Sequence, residues 1–367
     1  MGAVLITGAT GFVGAEVLAR FLEQDDRRVY ALVRASDDDA AAERLRELGF
    51  ADGDTLRVVA GDIERPGLGL DEPVTDELAE EVTTVVHCAA SVSFQLGLEE
   101  SRQVNVAGTR RVVELAEQCA CRGEGLERLT YVSTAYVAGA RSGDFREDQL
   151  EVGQRFRNPY ERSKFEAELS TRERADGLPL QVLRPSIVVG DRRTGWTNSF
   201  NVIYAPLKAF ARGAMPAIPA RRRSPVDIVP VDYVADAAHE LASNGPEGTY
   251  HLVSGPDATT VGRLIELSSR YLDRRPPAVL PPGLYRRLAH PLLARRYEGV
   301  RRSEAYFPYF SMRVRFDDRR ARERLEPAGI RVTPVEEYFH RLLVFAEASG
   351  WGRRSVARAE ARTLVRT

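Results

Sequence analysis

Gly8-Ala9-Thr10-Gly11-Phe12-Val13-Gly14 follows directly on the apolar run Val4-Leu5-Ile6. Val13, Val17, Leu18 and Phe21 then recur at helical spacing. No other feature limits the fold of this chain so strongly. Glycine permits a tight turn and lets the backbone come close to a pyrophosphate, while the helix N-terminus offers unpaired N–H groups and partial positive charge. A glycine trio alone is a weak signal, but on the first strand-to-helix turn of a β–α series it marks a dinucleotide site. The turn supplies Gly8, Thr10, Gly11, Phe12, Val13 and Gly14 as candidate cofactor contacts.

The series continues. Strands are expected at Ala3–Thr7, 28–33, 56–60, 84–87, 129–133 and 180–184, with helices at 40–48, ending at 81, and at 104–119. Such alternation specifies an α/β fold with a doubly wound parallel sheet. Residues 1–190 are expected to form the nucleotide-binding domain, with about 225–255 returning to it. Residues 191–367 would be mainly a smaller substrate-binding region and C-terminal helices. In that part, 198–211 and 335–348 have helical patterns, and 226–231 and 249–253 look like short strands. The proline-rich stretch 274–283 reads as a loop, and the basic end 353–367 is expected to fray.

Composition narrows the function classes. Lys plus Arg (52) balances Asp plus Glu (53), which argues against a nucleic-acid partner. No apolar run reaches the roughly 18 residues of a membrane span. The three cysteines, Cys88, Cys119 and Cys121, have no metal-site spacing with histidine, so no metal is expected and a reduced, cytoplasmic protein fits. Oligomeric state is not encoded in any pattern here. Only two lysines occur, Lys164 and Lys208.

Lys164 stands four residues after Tyr160, so on a helix they share a face. An ammonium beside a phenol favours the phenolate and tunes the tyrosine as a proton donor. Thr134, preferred over Ser133, ends strand five, where a hydroxyl can meet a substrate oxygen. Arg34 stands at the end of strand two, where an acid would suit NAD. Arginine suits the 2′-phosphate of NADPH, with Asp37 as the alternative ribose partner. Asp62 and Ile63 are placed for the adenine, and small Ala89 and Ala90 let the cofactor pass. His87 and Cys88 read as packing residues. Asn105 either caps a helix or holds backbone or water near the lysine.

These residues resemble the extended short-chain dehydrogenase/reductase family over roughly 3–255. The resemblance rests on Thr7–Gly14, Asn105-Val106-Ala107-Gly108-Thr109, Tyr131–Ala135, Tyr160-x-x-x-Lys164 and Leu183-Arg184-Pro185. It implies that Thr134 is the catalytic hydroxyl and that Pro185 and Ile187 meet the nicotinamide carboxamide. Leu32-Val33-Arg34-Ala35, residues 61–70, His87–Phe94 and Asn158–Glu168 are most similar to thioester reductases and fatty acyl-CoA reductases. The reaction implied is NADPH-dependent reduction of an acyl thioester, on CoA or a carrier protein, to an aldehyde or, with a second cofactor, to an alcohol. A reductase of a ketone, steroid or sugar nucleotide is the second reading, and a non-catalytic cofactor sensor the third. Ala135 and Tyr136 stand where dehydratases of the family carry an acidic pair, which argues against elimination.

Overall fold

The computed structural model describes residues 2–51, 53–200, 202–297, 300 and 304–364. The apolar runs become strands because helices cover them on both faces. In chain order the first half runs β1 (Ala3–Thr7), α1 (Phe12–Gln24), β2 (Val29–Val33), α2 (Asp38–Arg46), β3 (Leu56–Ala60), α3 (Glu72–Glu81) and β4 (Val82–His87). It continues with α4 (Leu98–Arg102), α5 (Gly108–Cys121), β5 (Arg128–Val132), β6 (Ser142–Phe145), α6 (Pro159–Arg174), β7 (Leu180–Pro185) and β8 (Ile187–Val189). Then follow α7 (Tyr204–Ala211), β9 (Ala217–Pro219), β10 (Pro225–Val226), β11 (Ile228–Pro230), α8 (Val231–Asn244), β12 (Gly248–Leu252), β13 (Thr259–Thr260), α9 (Val261–Tyr271) and β14 (Ala278–Leu280).

Seven of these strands form one parallel sheet in the order β12-β7-β5-β4-β1-β2-β3. Residues alternate between its faces. Val4 and Ile6 pack with Val17, Leu18 and Phe21 of α1 and Leu241 of α8. Leu5 faces the other way, toward Leu78 of α3 and Val112 and Ala116 of α5. The strand order reverses between β1 and β4, with Thr7 beside His87. Ligands of such sheets lie outside the carboxyl ends of the strands at that reversal.

The later segments add a second core around Tyr136, Phe210, Ile218, Phe310, Tyr338 and Leu342. Short strand pairs tie it together: β8 with β11, β9 with β14, β10 with β13, and β6 with β15 (Arg313–Phe316). Helix α10 (Pro282–Leu284) passes through a π turn, Tyr285–Ala289, into α11 (His290–Arg296). Three helices close the chain: α12 (Arg319–Leu325), α13 (Val335–Ala348) and α14 (Arg358–Leu364).

Several expectations are corrected. The helix expected at 104–119 begins at Leu98 and carries a π turn at Gln103–Ala107. The one at 198–211 starts only at Tyr204, because Val202 has a positive φ of 44° that ends helical backbone. The strand at 226–231 is two strands, split where Asp227 accepts the Ser254 and Gly255 N–H groups. The stretch 274–283 is not all loop: Ala278–Leu280, free of proline, pairs with Ala217–Pro219. The basic end is anchored rather than frayed through 364. Arg358 pairs with Glu16 and Glu23 at 2.7 Å each, and the Trp196 Nε1–H donates to the Val356 carbonyl. Residues 365–367 of that expectation lie outside the described residues.

The glycine turn is fixed by contact. Gly8 has φ +74°, and a Cβ there would lie 2.6 Å from the Ala89 nitrogen. A Cβ on Gly14 would lie 2.1 Å from the Gly8 oxygen, whereas one on Gly11 would lie 3.1 Å from it. Gly14→Ala is therefore expected to destabilise the fold by about 1–3 kcal/mol and to abolish nucleotide binding, with Gly11→Ala markedly milder. Urea unfolding and nucleotide titration of both variants check this ranking.

Candidate active site

Two adjoining cavities open at the sheet reversal and share Thr10, Gly11, Cys88 and Ala90. The first, about 680 Å³, is lined by Gly8, Arg34, Asp62, Ile63, Ala89 and Arg44 among others. The second, about 430 Å³, brings Phe12, Val13, Gly14, Thr134, Tyr160, Lys164, Pro185 and Ile187 together. Between them lies the start of α1. Its N-cap is Gly11, with no side-chain cap and no acid in the first turn. The first N–H groups thus have no side-chain acceptor and face a cavity, the arrangement that takes a phosphate. The turn fits a dinucleotide.

At the first cavity's far end, Arg34 is largely exposed and pairs with Glu64 at 3.2 Å. Arg44, absent from the sequence expectations, donates to the Arg34 carbonyl and lines the same wall. Its position on α2 brings it back over the end of β2, which spacing alone did not show. Asp37 is the N-cap of α2, accepting the Ala40 N–H at 2.8 Å. Asp62 turns its carboxylate to the Glu64 N–H.

In the second cavity, Thr134 begins a short 3-10 turn. Its hydroxyl accepts the Tyr136 N–H at 3.3 Å and donates to the Pro185 carbonyl at 3.4 Å. Ser133 is committed elsewhere, donating to Glu168 at 2.7 Å. Helix α6, capped by Asn158 and entered through Pro159, carries Tyr160 and Lys164. The Lys164 Nζ donates to the Val132 carbonyl at 2.9 Å and sits 4.4 Å from the Tyr131 ring centre. Asn105 lines neither cavity. Buried in the π turn, it is no N-cap: it accepts the Ser91 N–H and donates to the Ser91 carbonyl and the Ser163 hydroxyl. It braces the wall against α6 from behind.

Burial sets the protonation states. It pushes the Tyr160 phenol up to about 12, against the pull of the Thr134 hydroxyl, with the Glu161 charge adding to the rise. Lys164 is not among the groups that set it, which corrects the sequence expectation of a lowered phenol: the amine is turned to the strand-five carbonyl. A protonated phenol is a proton donor, the form that reduction of a carbonyl needs. Burial also pulls Lys164 down to about 7, with Glu168 and Cys88 opposing. His87 is held between the Thr7 and Thr109 hydroxyls, and burial drives it down to about 3. Burial lifts the Cys88 thiol to about 12. His87 is a packing group, whereas Cys88 lines both cavities with its thiol protonated.

Aromatic side chains that the sequence did not single out wall the catalytic end. The Phe94 ring lies 5.6 Å from Tyr160, 5.5 Å from Tyr306 and 5.4 Å from Tyr309. Tyr309 also meets Tyr136 edge-on at 5.1 Å. Its hydroxyl donates to buried Glu161 at 2.8 Å and accepts from Asn158. Residues about 150 positions away thus lock the N-terminus of α6, a contact with no local sequence signal.

The family model described as Male sterility protein matches residues 6–238. The chain belongs to this NAD-binding family. It is 32% identical over 340 residues to the non-canonical nonribosomal peptide synthetase FrzA of Cladobotryum sp., covering 83% of this chain and 32% of that protein. It is 32% identical over 286 residues to a carboxylic acid reductase of Segniliparus rugosus, covering 68% of this chain and 23% of that one. The chain therefore spans a third or less of these relatives. A probable fatty acyl-CoA reductase of Arabidopsis thaliana is 25% identical over 354 residues, covering 74% and 71%. Among solved structures, the terminal R domain of the myxalamid pathway superposes with a TM-score of 0.83 at 28% identity, covering 97% and 93%. The chain is of the extended short-chain dehydrogenase/reductase kind, whose fold takes a nicotinamide cofactor. No described helix is long and apolar enough to cross a membrane, and no described cluster could hold a metal.

Lys164 yields a pH test. Between about pH 7 and pH 10 the unfolded chain keeps a Lys164 proton that the folded chain has lost, so stability rises with pH across that window. Lys164→Met removes this dependence. Its stability relative to the parent is expected to be highest near pH 7 and to decline toward pH 10, read from urea midpoints. A difference constant with pH would show that the folded protein keeps Lys164 charged.

Proposed function

We propose that this chain reduces an acyl thioester to an aldehyde with NADPH, and the aldehyde on to an alcohol with a second equivalent. In this reading residues 1–190, with 225–255, hold the cofactor and the later segments take the acyl group. The observation that carries it is the second cavity, where Thr134, Tyr160 and Lys164 meet the glycine turn under a wall of Phe94, Tyr306 and Tyr309. The thioester part draws on the names of the relatives, two of which are reductases of carboxylic acids and fatty acyl-CoA. NADPH would be held by the first-turn N–H groups of α1, by Arg34 and Arg44, by Asp62 and Ile63, and by the backbone past Ala89 and Ala90. Pro185 and Ile187 would meet the carboxamide. The cofactor supplies a hydride to the thioester carbonyl carbon.

The protein's part is orientation and charge. Thr134 and Tyr160 donate hydrogen bonds to the carbonyl oxygen as it gains negative charge, and Tyr160 gives up its proton to the oxygen of the alcohol. Lys164 holds ribose hydroxyls; in the thioester step the oxyanion re-forms the carbonyl as the C–S bond breaks, and the departing thiolate takes a proton from water to leave as the free thiol.

Tyr160→Phe is expected to fold and bind cofactor yet lose roughly 10²–10⁴-fold in turnover. Free thiol should appear in step with NADPH oxidation when the wild type meets an acyl-CoA. Oxidation with ketones and never with a thioester would overturn the substrate assignment and leave the proton donor intact.

Arg34→Ala and Arg44→Ala should each weaken NADPH binding by about ten-fold or more, with little change for NADH, since a charge-assisted phosphate contact contributes about 1.5–3 kcal/mol. Equal losses for both cofactors in a titration would remove these arginines from the 2′-phosphate.

A further inference from the structure

We propose that the outer face of the helical run Pro282–Arg296 docks an acidic carrier protein that delivers the acyl thioester to the cleft. The proposal rests on the thioester reading above and adds the partner and the place. Leu284, Leu288 and Leu292 recur four apart along the run and are 46%, 59% and 68% exposed. Among the described residues the only other large hydrophobic side chain so exposed is Val92, which lines the catalytic cavity. Apolar exposure outside the cleft is therefore concentrated on one helix, the pattern of a contact surface.

The same run is basic. Arg286, Arg287, Arg295 and Arg296 flank the leucines. Residues 204–226 and 258–297 together carry thirteen Lys and Arg against two acids, Glu266 and Asp273, in a chain whose net charge is −1. The fold gathers these segments. Strands β9 and β14 pair, Ala220 N–H donates to the Leu280 carbonyl, and Ala278 N–H donates to the Pro216 carbonyl. The Arg274 guanidinium lies against Gly213. Four arginines along an apolar stripe, even with Glu304 standing 3.5 Å from His290, are complementary to an acidic protein with an apolar centre.

The inner side of the run reaches the cleft. Tyr285 is buried and packs edge-on against Phe307 at 5.6 Å. Phe307 adjoins Tyr306, which with Tyr309 walls the catalytic cavity. A partner seated on the leucines would thus contact, through Tyr285 and Phe307, the segment that carries Tyr306 and Tyr309.

Other occupants fit less well. Phosphates of CoA would use the arginines but leave the leucines in water. A second copy of this chain, paired through the same face, would set like charges against each other. An anionic membrane would use both features, but the stripe carries three leucines and no exposed aromatic anchor.

The test uses the full chain with Leu288→Asp and with Arg286→Glu/Arg287→Glu, exposed positions outside the catalytic machinery. The probes are an acidic acyl carrier protein bearing a thioester, and the same acyl group on CoA. The variants should raise KM for the carrier substrate about ten-fold or more, at unchanged kcat, and leave CoA-thioester kinetics alone. Titration with the carrier lacking an acyl group should show binding to the wild type that weakens with salt and is lost in the variants. Equal carrier binding by wild type and variants, or equal losses with both substrates, would overturn the docking face. So would binding to phosphatidylglycerol vesicles that the variants lose while carrier binding persists. Carrier binding is read without turnover, so failure of the thioester reading appears separately, as a wild type that reduces no thioester.

Discussion

The approach of the glycine turn to strand four is the constraint on which the rest depends. Gly8 lies where any Cβ would strike the Ala89 backbone, and Gly14 lies where one would strike the Gly8 carbonyl. These two contacts bring the N-terminus of α1 down to the sheet reversal. There the turn borders both cavities through Thr10 and Gly11, and the first turn of α1 lines the second. Had the turn stood off by one side chain, the phosphate cradle and the Tyr160 cleft would no longer be neighbours. The geometry also explains small residues at Ala89 and Ala90, past which a cofactor must run.

A buried ionic network holds the catalytic helix against the sheet. Glu168 and Arg184 are both fully buried and paired at 2.6 Å, and Arg184 with Arg172 and Ser133 holds the Glu168 carboxyl down at about 2 against the opposing effect of burial. The Arg184 guanidinium also donates to the His251 Nε2, whose Nδ1–H donates to the Asp317 carbonyl. Burial and Arg184 push His251 down to about 3, so it is neutral, as that pattern requires. Glu147 accepts the N–H groups of His251, Arg320 and Ala321, joining β12 to the start of α12. Removing one partner of such a pair strands a buried charge, so the network fixes α6 in one place more than it adds stability. Ser133, adjacent to Thr134, is part of it: its hydroxyl donates to Glu168, whereas the Thr134 hydroxyl bonds backbone, at the Tyr136 N–H and the Pro185 carbonyl.

The cleft itself is assembled from distant parts of the chain. Tyr309 closes over Phe94 and at the same time bonds Glu161, next to Tyr160. The aromatic wall and the position of the phenol are therefore coupled. A group entering under that wall would be felt at the Tyr160 phenol.

Much of this was legible in the sequence. The strand-to-helix glycine turn, the all-buried strands and the Tyr160–Lys164 spacing are local patterns, set by backbone sterics and by one periodicity at a time. They pointed to the parallel sheet, and to the glycine turn and the Tyr160–Lys164 face of α6, which the fold brings to one cavity. What only the tertiary structure decided depends on residues far apart in the chain. Arg44 reaches the Arg34 wall because α2 folds back over β2. Asn105 braces the wall from behind because the expected helix carries a π turn at Gln103–Ala107. Tyr306 and Tyr309 roof the site though nothing near them in the sequence marks a cleft. The phenol that spacing alone would have lowered is raised by burial, while the Lys164 amine is turned to the Val132 carbonyl. Local pattern fixes which backbone forms; only packing fixes which side chains share a cavity and how much water they keep.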